Sequence, residues 1–207
     1  MNKKITLIGL MLLFTSLAFA QKTDKKEWDF EAIGMFYIYP DDFYLLPVFK
    51  AEKEKLHLEA RYNYEDRETF SLFGGYNFKG GNALEYAITP MVGFAVGLTD
   101  GIVPGLEVDL CWKRFEFYNE MEYVFELNDG DNSFYYSWSE LTFTPDKNEN
   151  TFVGLTSQAT AIRNDQPGWD TGLTAGFTIK EMITFQGHYF NPFSDGHFGI
   201  FSIIYEF

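Results

Sequence analysis

Of the 207 residues one is cysteine, three are histidine and sixteen are basic, against thirty acidic ones. After Phe14 there is no long uninterrupted apolar run. Each scarcity excludes something. A lone Cys111 cannot form a disulfide within the chain, and its place in the middle of a predicted strand suits a buried thiol better than an intermolecular partner. A formal net charge of −14 lacks the basic footprint that nucleic acids and anionic surfaces require. Without an apolar run of about 20 residues, no transmembrane helix is expected after the N-terminal segment. There is no Gly-x-Ser-x-Gly elbow, so no serine nucleophile announces itself. No catalytic residue, metal site or cofactor site is assigned from the sequence.

Aromatic residues, by contrast, are abundant. They make up 19% of the chain, with 13 Tyr and 23 Phe, more than a soluble domain of this size readily buries. A sheet that faces lipid and carries aromatic girdles would use them. The N-terminus reads as an export signal. Lys3 and Lys4 form a basic start, Ile5 to Phe14 an apolar stretch, and Ala18-Phe19-Ala20 a small-x-small cleavage site. Residues 1–20 are therefore expected to be a signal peptide and 21–207 a single domain. Loss of the two signal lysines takes the net charge to about −16.

Period-two alternation recurs through that domain. Leu56, Leu58, Ala60, Tyr62 and Tyr64 share one face, opposite His57, Glu59, Arg61, Asn63 and Glu65. Phe117, Met121, Tyr123, Phe125 and Leu127 likewise stand opposite Glu116, Tyr118, Glu120, Glu122 and Glu126. On a helix this second segment would scatter Glu and Phe around the whole circumference; as a strand it separates them. Twelve segments follow from the pattern: 27–39, 43–51, 56–65, 68–78, 83–98, 104–113, 115–127, 133–144, 151–162, 168–180, 182–191 and 197–207. Most reach the roughly 9–11 residues of a tilted membrane strand. Three places resist. Pro90 lies inside one segment and calls for a bulge. Segment 43–51 contains Pro47 and alternates weakly. The apolar phase of 133–144 slips between Trp138 and Leu141, which a bulge at Ser139-Glu140 would absorb.

The run Gly199–Phe207 places Phe201, Ile203, Tyr205 and Phe207 on one face. It resembles the C-terminal strand of bacterial outer-membrane β-barrels, which ends in Phe behind alternating apolar residues. Together with the alternation, the resemblance implies an all-β fold, a closed antiparallel transmembrane β-barrel; the segment count makes it twelve strands, with ten or eight as alternatives. The resemblance also implies a Gram-negative outer membrane as the location and lipid, lipopolysaccharide and the barrel-assembly machinery as partners. Phe201, Ile203, Tyr205 and Phe207 would then be the assembly signal. With an even strand count both termini lie in the periplasm, together with the shorter turns.

In such a barrel the polar face lines the lumen. The residues expected there, and expected to set selectivity, are Glu59, Arg61, Glu107, Asp109, Glu116, Tyr118, Glu120, Glu122 and Glu126. Arg61, Lys113 and Lys180 are the few basic partners. Crowded carboxylates attract cations and hold water, so a narrow passive channel for small cationic or neutral solutes is the leading reading. The small inward residues Ala87, Gly93, Ala95 and Gly97 would leave space along one wall. At twelve strands a lumen filled by side chains, in an envelope scaffold, stays open as a second reading. His188, Ser194, Asp195 and His197 leave a lipid-active enzyme as a third. The acidic loop Asn128–Asn132 is better explained by turn chemistry than by calcium binding.

Overall fold

A computed structural model describes residues 27–146, 150–163 and 165–207; segment 1–20, expected to be a signal peptide, lies outside the described residues. Twelve antiparallel strands form one closed barrel. They are β1 (Asp29–Ile38), β2 (Phe43–Lys53), β3 (Leu56–Tyr62), β4 (Phe70–Tyr76, continuing as Phe78–Gly81), β5 (Glu85–Val96) and β6 (Gly101–Trp112). The second half comprises β7 (Phe115–Glu126), β8 (Phe134–Phe143), β9 (Thr151–Ile162), β10 (Gly168–Ile179), β11 (Ile183–Phe190) and β12 (Phe198–Glu206). Each strand pairs with its chain neighbours, and β12 returns to β1, leaving no free edge. At that seam Phe30 and Phe207 exchange backbone hydrogen bonds of 3.0 and 2.9 Å, and their rings stack at 5.5 Å.

Alternation governs which side chains face inward. His57, Glu59 and Arg61 are buried, while Leu56, Leu58 and Tyr62 are exposed on the outside. The outer surface carries large apolar side chains around the ring, among them Phe94, Phe125, Leu155, Leu173 and Phe201. The inward face is polar at the end that holds the termini and aromatic at the other. Tyr37 and Tyr44 stack at 4.7 Å, Phe190 and Phe198 at 4.8 Å, and Trp138 meets Phe190 edge-on at 5.4 Å. With Leu46, Val48 and Ile200 these rings form the main core of the lumen.

Both expected bulges are absent, for different reasons. Opposite Pro90, the ladder between β4 and β5 runs from Gly75–Met91 to Phe78–Ile88 with equal spacing on both strands. The register never shifts. Proline has no N–H to give, so the ladder omits the two pairs Tyr76–Pro90 and Asn77–Thr89, and β4 splits at Asn77, whose side-chain oxygen takes the Thr89 hydroxyl at 2.7 Å. Pro47 acts in the same way: pairing of β2 with β3 begins only at Val48, while pairing with β1 runs straight through it. In β8 the register to both neighbours is uniform. Trp138 and Glu140 both point inward, and Ser137 and Ser139 occupy the outward positions, where Asn119 Nδ2 donates to their hydroxyls at 3.1 and 2.8 Å. The apparent slip was an aromatic residue on the wet face and serines on the greasy one.

Cys111 lies near the end of β6 and is exposed, not buried. The shorter turns use positive φ at Glu54, Lys113, Lys180 and Glu181, the backbone that tight hairpins need to match strand twist.

Candidate functional site

A cavity of about 920 Å³ occupies the half of the barrel that holds the termini. Its mouth is ringed by Asp29, Glu31, Glu116 and Glu206. Glu31 and Glu206 are directly paired across the β1–β12 seam, so two carboxylates meet where the barrel closes. Deeper in, β2, β3, β6 and β7 send charged side chains across the lumen towards one another. Lys50 Nζ reaches Glu107 Oε1 at 2.6 Å and Glu59 Oε1 at 2.9 Å. Arg61 Nη1 reaches Glu122 Oε1 at 2.5 Å and Glu120 Oε1 at 2.8 Å, and its Nε donates to Glu59 Oε2 at 2.6 Å. Glu65 Oε1 stands 3.8 Å from the same Nη1. Five carboxylates thus share two permanent cations. The Tyr64 hydroxyl donates to Glu120 Oε2 at 2.7 Å, and the Tyr118 hydroxyl lies 2.9 Å from Glu107 Oε1.

Arg61 is held from the apolar side as well. Its guanidinium lies 4.3 Å from the ring centres of both Tyr64 and Phe73. Phe73 in turn rests on Gly93: a Cβ there would come within 2.5 Å of the ring and 2.7 Å of the Leu72 carbonyl oxygen. The wall of small residues therefore does not widen the lumen at Gly93. It makes room for Phe73, which carries Arg61. Beyond this charged layer lies a second, smaller cavity of about 180 Å³, lined by Tyr37, Tyr44, Tyr136 and Glu122 among others.

No protein-family model matches the sequence, and no curated protein matches it. Solved structures do. The KdgM porin superposes with a TM-score of 0.63 at 9% identity, over 86% of this chain and 99% of that one. The NanC porin gives 0.55 at 11% identity, over 84% and 97%. Omp33 of Acinetobacter baumannii gives 0.52 at 12%, over 88% and 99%. The fold is that of an outer-membrane porin. At these identities the likeness is one of architecture, and what this porin-like barrel does has to come from its own lumen.

Seven of the nine residues expected in the lumen, namely Glu59, Arg61, Glu107, Asp109, Glu116, Tyr118 and Glu120, line the large cavity. Glu122 lies past the charged layer, on the smaller one. Glu126 lines neither of these two cavities. It sits at the far rim, where its carboxylate accepts the backbone N–H groups of Asp100 and Asn128 and so fixes two loops. Beside it, Asp100 is held below its usual pKa by the Gly97 N–H and the Asn128 amide. Phe201, Ile203, Tyr205 and Phe207 all lie on the outward face of the seam, with Phe201 close to the rings of Phe36 and Phe185.

Four residues were missed or misplaced. Lys50 belongs to the weakly alternating segment around Pro47, so its side was not legible. Lys113 and Lys180, expected as lumen partners, sit at hairpin turns. Tyr64 was placed outside with Tyr62; the positive φ of Asn63 reverses the alternation and turns Tyr64 inward. His188 is buried in the lumen against Trp138, whereas Ser194 and His197 are exposed in the loop beyond β11. The Ser/His/Asp grouping suggested by sequence proximity therefore divides between strand interior and loop. Asp129 caps the 3₁₀ turn Gly130–Asn132, accepting from the Asp131 N–H, as turn chemistry predicts.

Proposed function

We propose that the protein is a narrow passive channel of a Gram-negative outer membrane, exported by a signal peptide cleaved near Ala20. It passes small cationic or neutral solutes. The observation that carries this reading is the acid-lined cavity that ends on the Arg61 layer. Carboxylates outnumber cations from the mouth inward, so the local potential concentrates cations and repels anions. The KdgM porin has been solved in complex with disordered oligogalacturonate. Galacturonate units carry carboxylates, and an acidic lumen would reject such a chain, so this barrel uses the same architecture with the opposite charge preference. Lipid and lipopolysaccharide surround the apolar band in this reading, and Phe201, Ile203, Tyr205 and Phe207 form the strand read by the assembly machinery.

The aromatic cluster at the far end favours a second reading, a filled barrel that serves as an envelope scaffold. Planar-bilayer recording separates the two. A channel gives discrete current steps with cation preference that weakens in Glu116→Gln and Glu120→Gln; a scaffold gives no steps at all. Hydrolysis of phospholipid or lipopolysaccharide by purified protein, lost in His188→Ala, would favour an enzyme instead.

A further inference from the structure

His57, Glu59 and Glu107 converge on the wall of the large cavity in a way the ion-pair network does not exhaust. His57 is 1% exposed, and its Nδ1 lies 3.1 Å from Glu52 Oε1. That carboxylate accepts only, so in the neutral imidazole that a metal ion requires the proton sits on Nδ1 and Nε2 is the nitrogen available as a ligand, a metal ion displacing any proton it carries. Nε2 has no hydrogen-bond partner among the described residues. It points at Glu59 Oε1, 3.4 Å away, and Glu107 Oε2, 3.8 Å away. These spacings are long for hydrogen bonds but suit ligands of one metal ion. Four donors at about 2.1 Å in a tetrahedron lie roughly 3.4 Å apart.

We propose that His57 Nε2, Glu59 and Glu107 form a binding site for a divalent ion of the zinc class. One imidazole and two carboxylates make a neutralising donor set for a dication, and the cavity side leaves room for water or a solute oxygen as a further ligand. Glu52 plays the outer-shell part, orienting the imidazole and raising its basicity through Nδ1–H. Lys50 is the competitor. Its ammonium bridges Glu59 and Glu107, so a metal ion must displace it, and the carboxylate of its cross-strand neighbour Glu31 stands ready to receive it. Exchange of one positive charge for two is favourable where carboxylates are in excess.

The test is titration of untagged, detergent-folded protein with zinc chloride by calorimetry, and with cobalt chloride by visible absorption. It needs no pore activity and stands or falls apart from the channel reading. The wild type is expected to bind one ion, with His57→Gln abolishing the signal. Glu52→Gln, which leaves the ligands intact, should weaken it about 10- to 100-fold. Lys50→Met should tighten binding, the reverse of what simple disruption of the network would do. Folding of each variant is checked by β-sheet circular dichroism; should His57→Gln not fold, the opposed shifts of Glu52→Gln and Lys50→Met decide. Absence of stoichiometric binding by the wild type, or binding indifferent to these three substitutions, overturns the proposal.

Discussion

Arg61 is the residue on which the interior turns. It is buried and holds four carboxylates from two strands and a loop, while two aromatic faces confine its guanidinium. Taking ions out of water is costly, and removing one partner leaves the others uncompensated. Arg61→Met is therefore expected to lower stability by about 3–5 kcal/mol, read as a shift of the denaturant midpoint in detergent. A loss below about 1 kcal/mol would mean that water already screens the glutamates, as it does surface pairs. At this scale the sequence was informative wherever alternation was clean: Glu59, Arg61, Glu120 and Glu122 were placed inward by pattern alone. Lys50 and Tyr64 were not, because a proline and a left-handed asparagine interrupt the period that such reading depends on.

The strands show how one small residue sets the position of a charged one. Gly93 on β5 leaves space for the Phe73 ring on β4, and Phe73 supports Arg61 on β3. A methyl group at Gly93 meets backbone as well as ring, so it cannot be absorbed by a rotamer change alone. Gly93→Ala is expected to destabilise by about 1–3 kcal/mol, and Phe73→Leu in the same chain should recover part of the loss by relieving the ring contact. No recovery would show that the Leu72 carbonyl, not Phe73, bears the strain. The seam offers a second case. Phe207 contributes two backbone hydrogen bonds and a stacked ring to Phe30. Deleting Phe207 should slow barrel formation in lipid vesicles and lower the yield of membrane-inserted protein in cells; unchanged insertion in both settings would remove it from the assembly signal. Strand number and positions were legible because polar and apolar residues alternate over most segments. The bulges were misread because a missing N–H and a tryptophan on the polar face both mimic a change of phase.

For the whole molecule, the architecture separates two tasks. The outer wall is apolar and aromatic, and the inner wall grades from carboxylates at the end with the termini to packed rings at the other. Much of the excess of acid over base in the sequence lies on the inner wall, at the Glu31–Glu206 pair on the barrel seam and at the Arg61 layer behind it. Composition announced that excess; how the carboxylates divide between two cations could be known only once β2, β3, β6 and β7 faced one another across the lumen. The central claim is that this acidic wall lines a conducting path. Its most direct test is the reversal potential of the purified protein in a planar bilayer under a potassium chloride gradient. The account predicts single-channel steps with a reversal potential displaced towards that of potassium, moving towards zero in Glu116→Gln/Glu120→Gln. Silent membranes, or a displacement towards chloride, would contradict it.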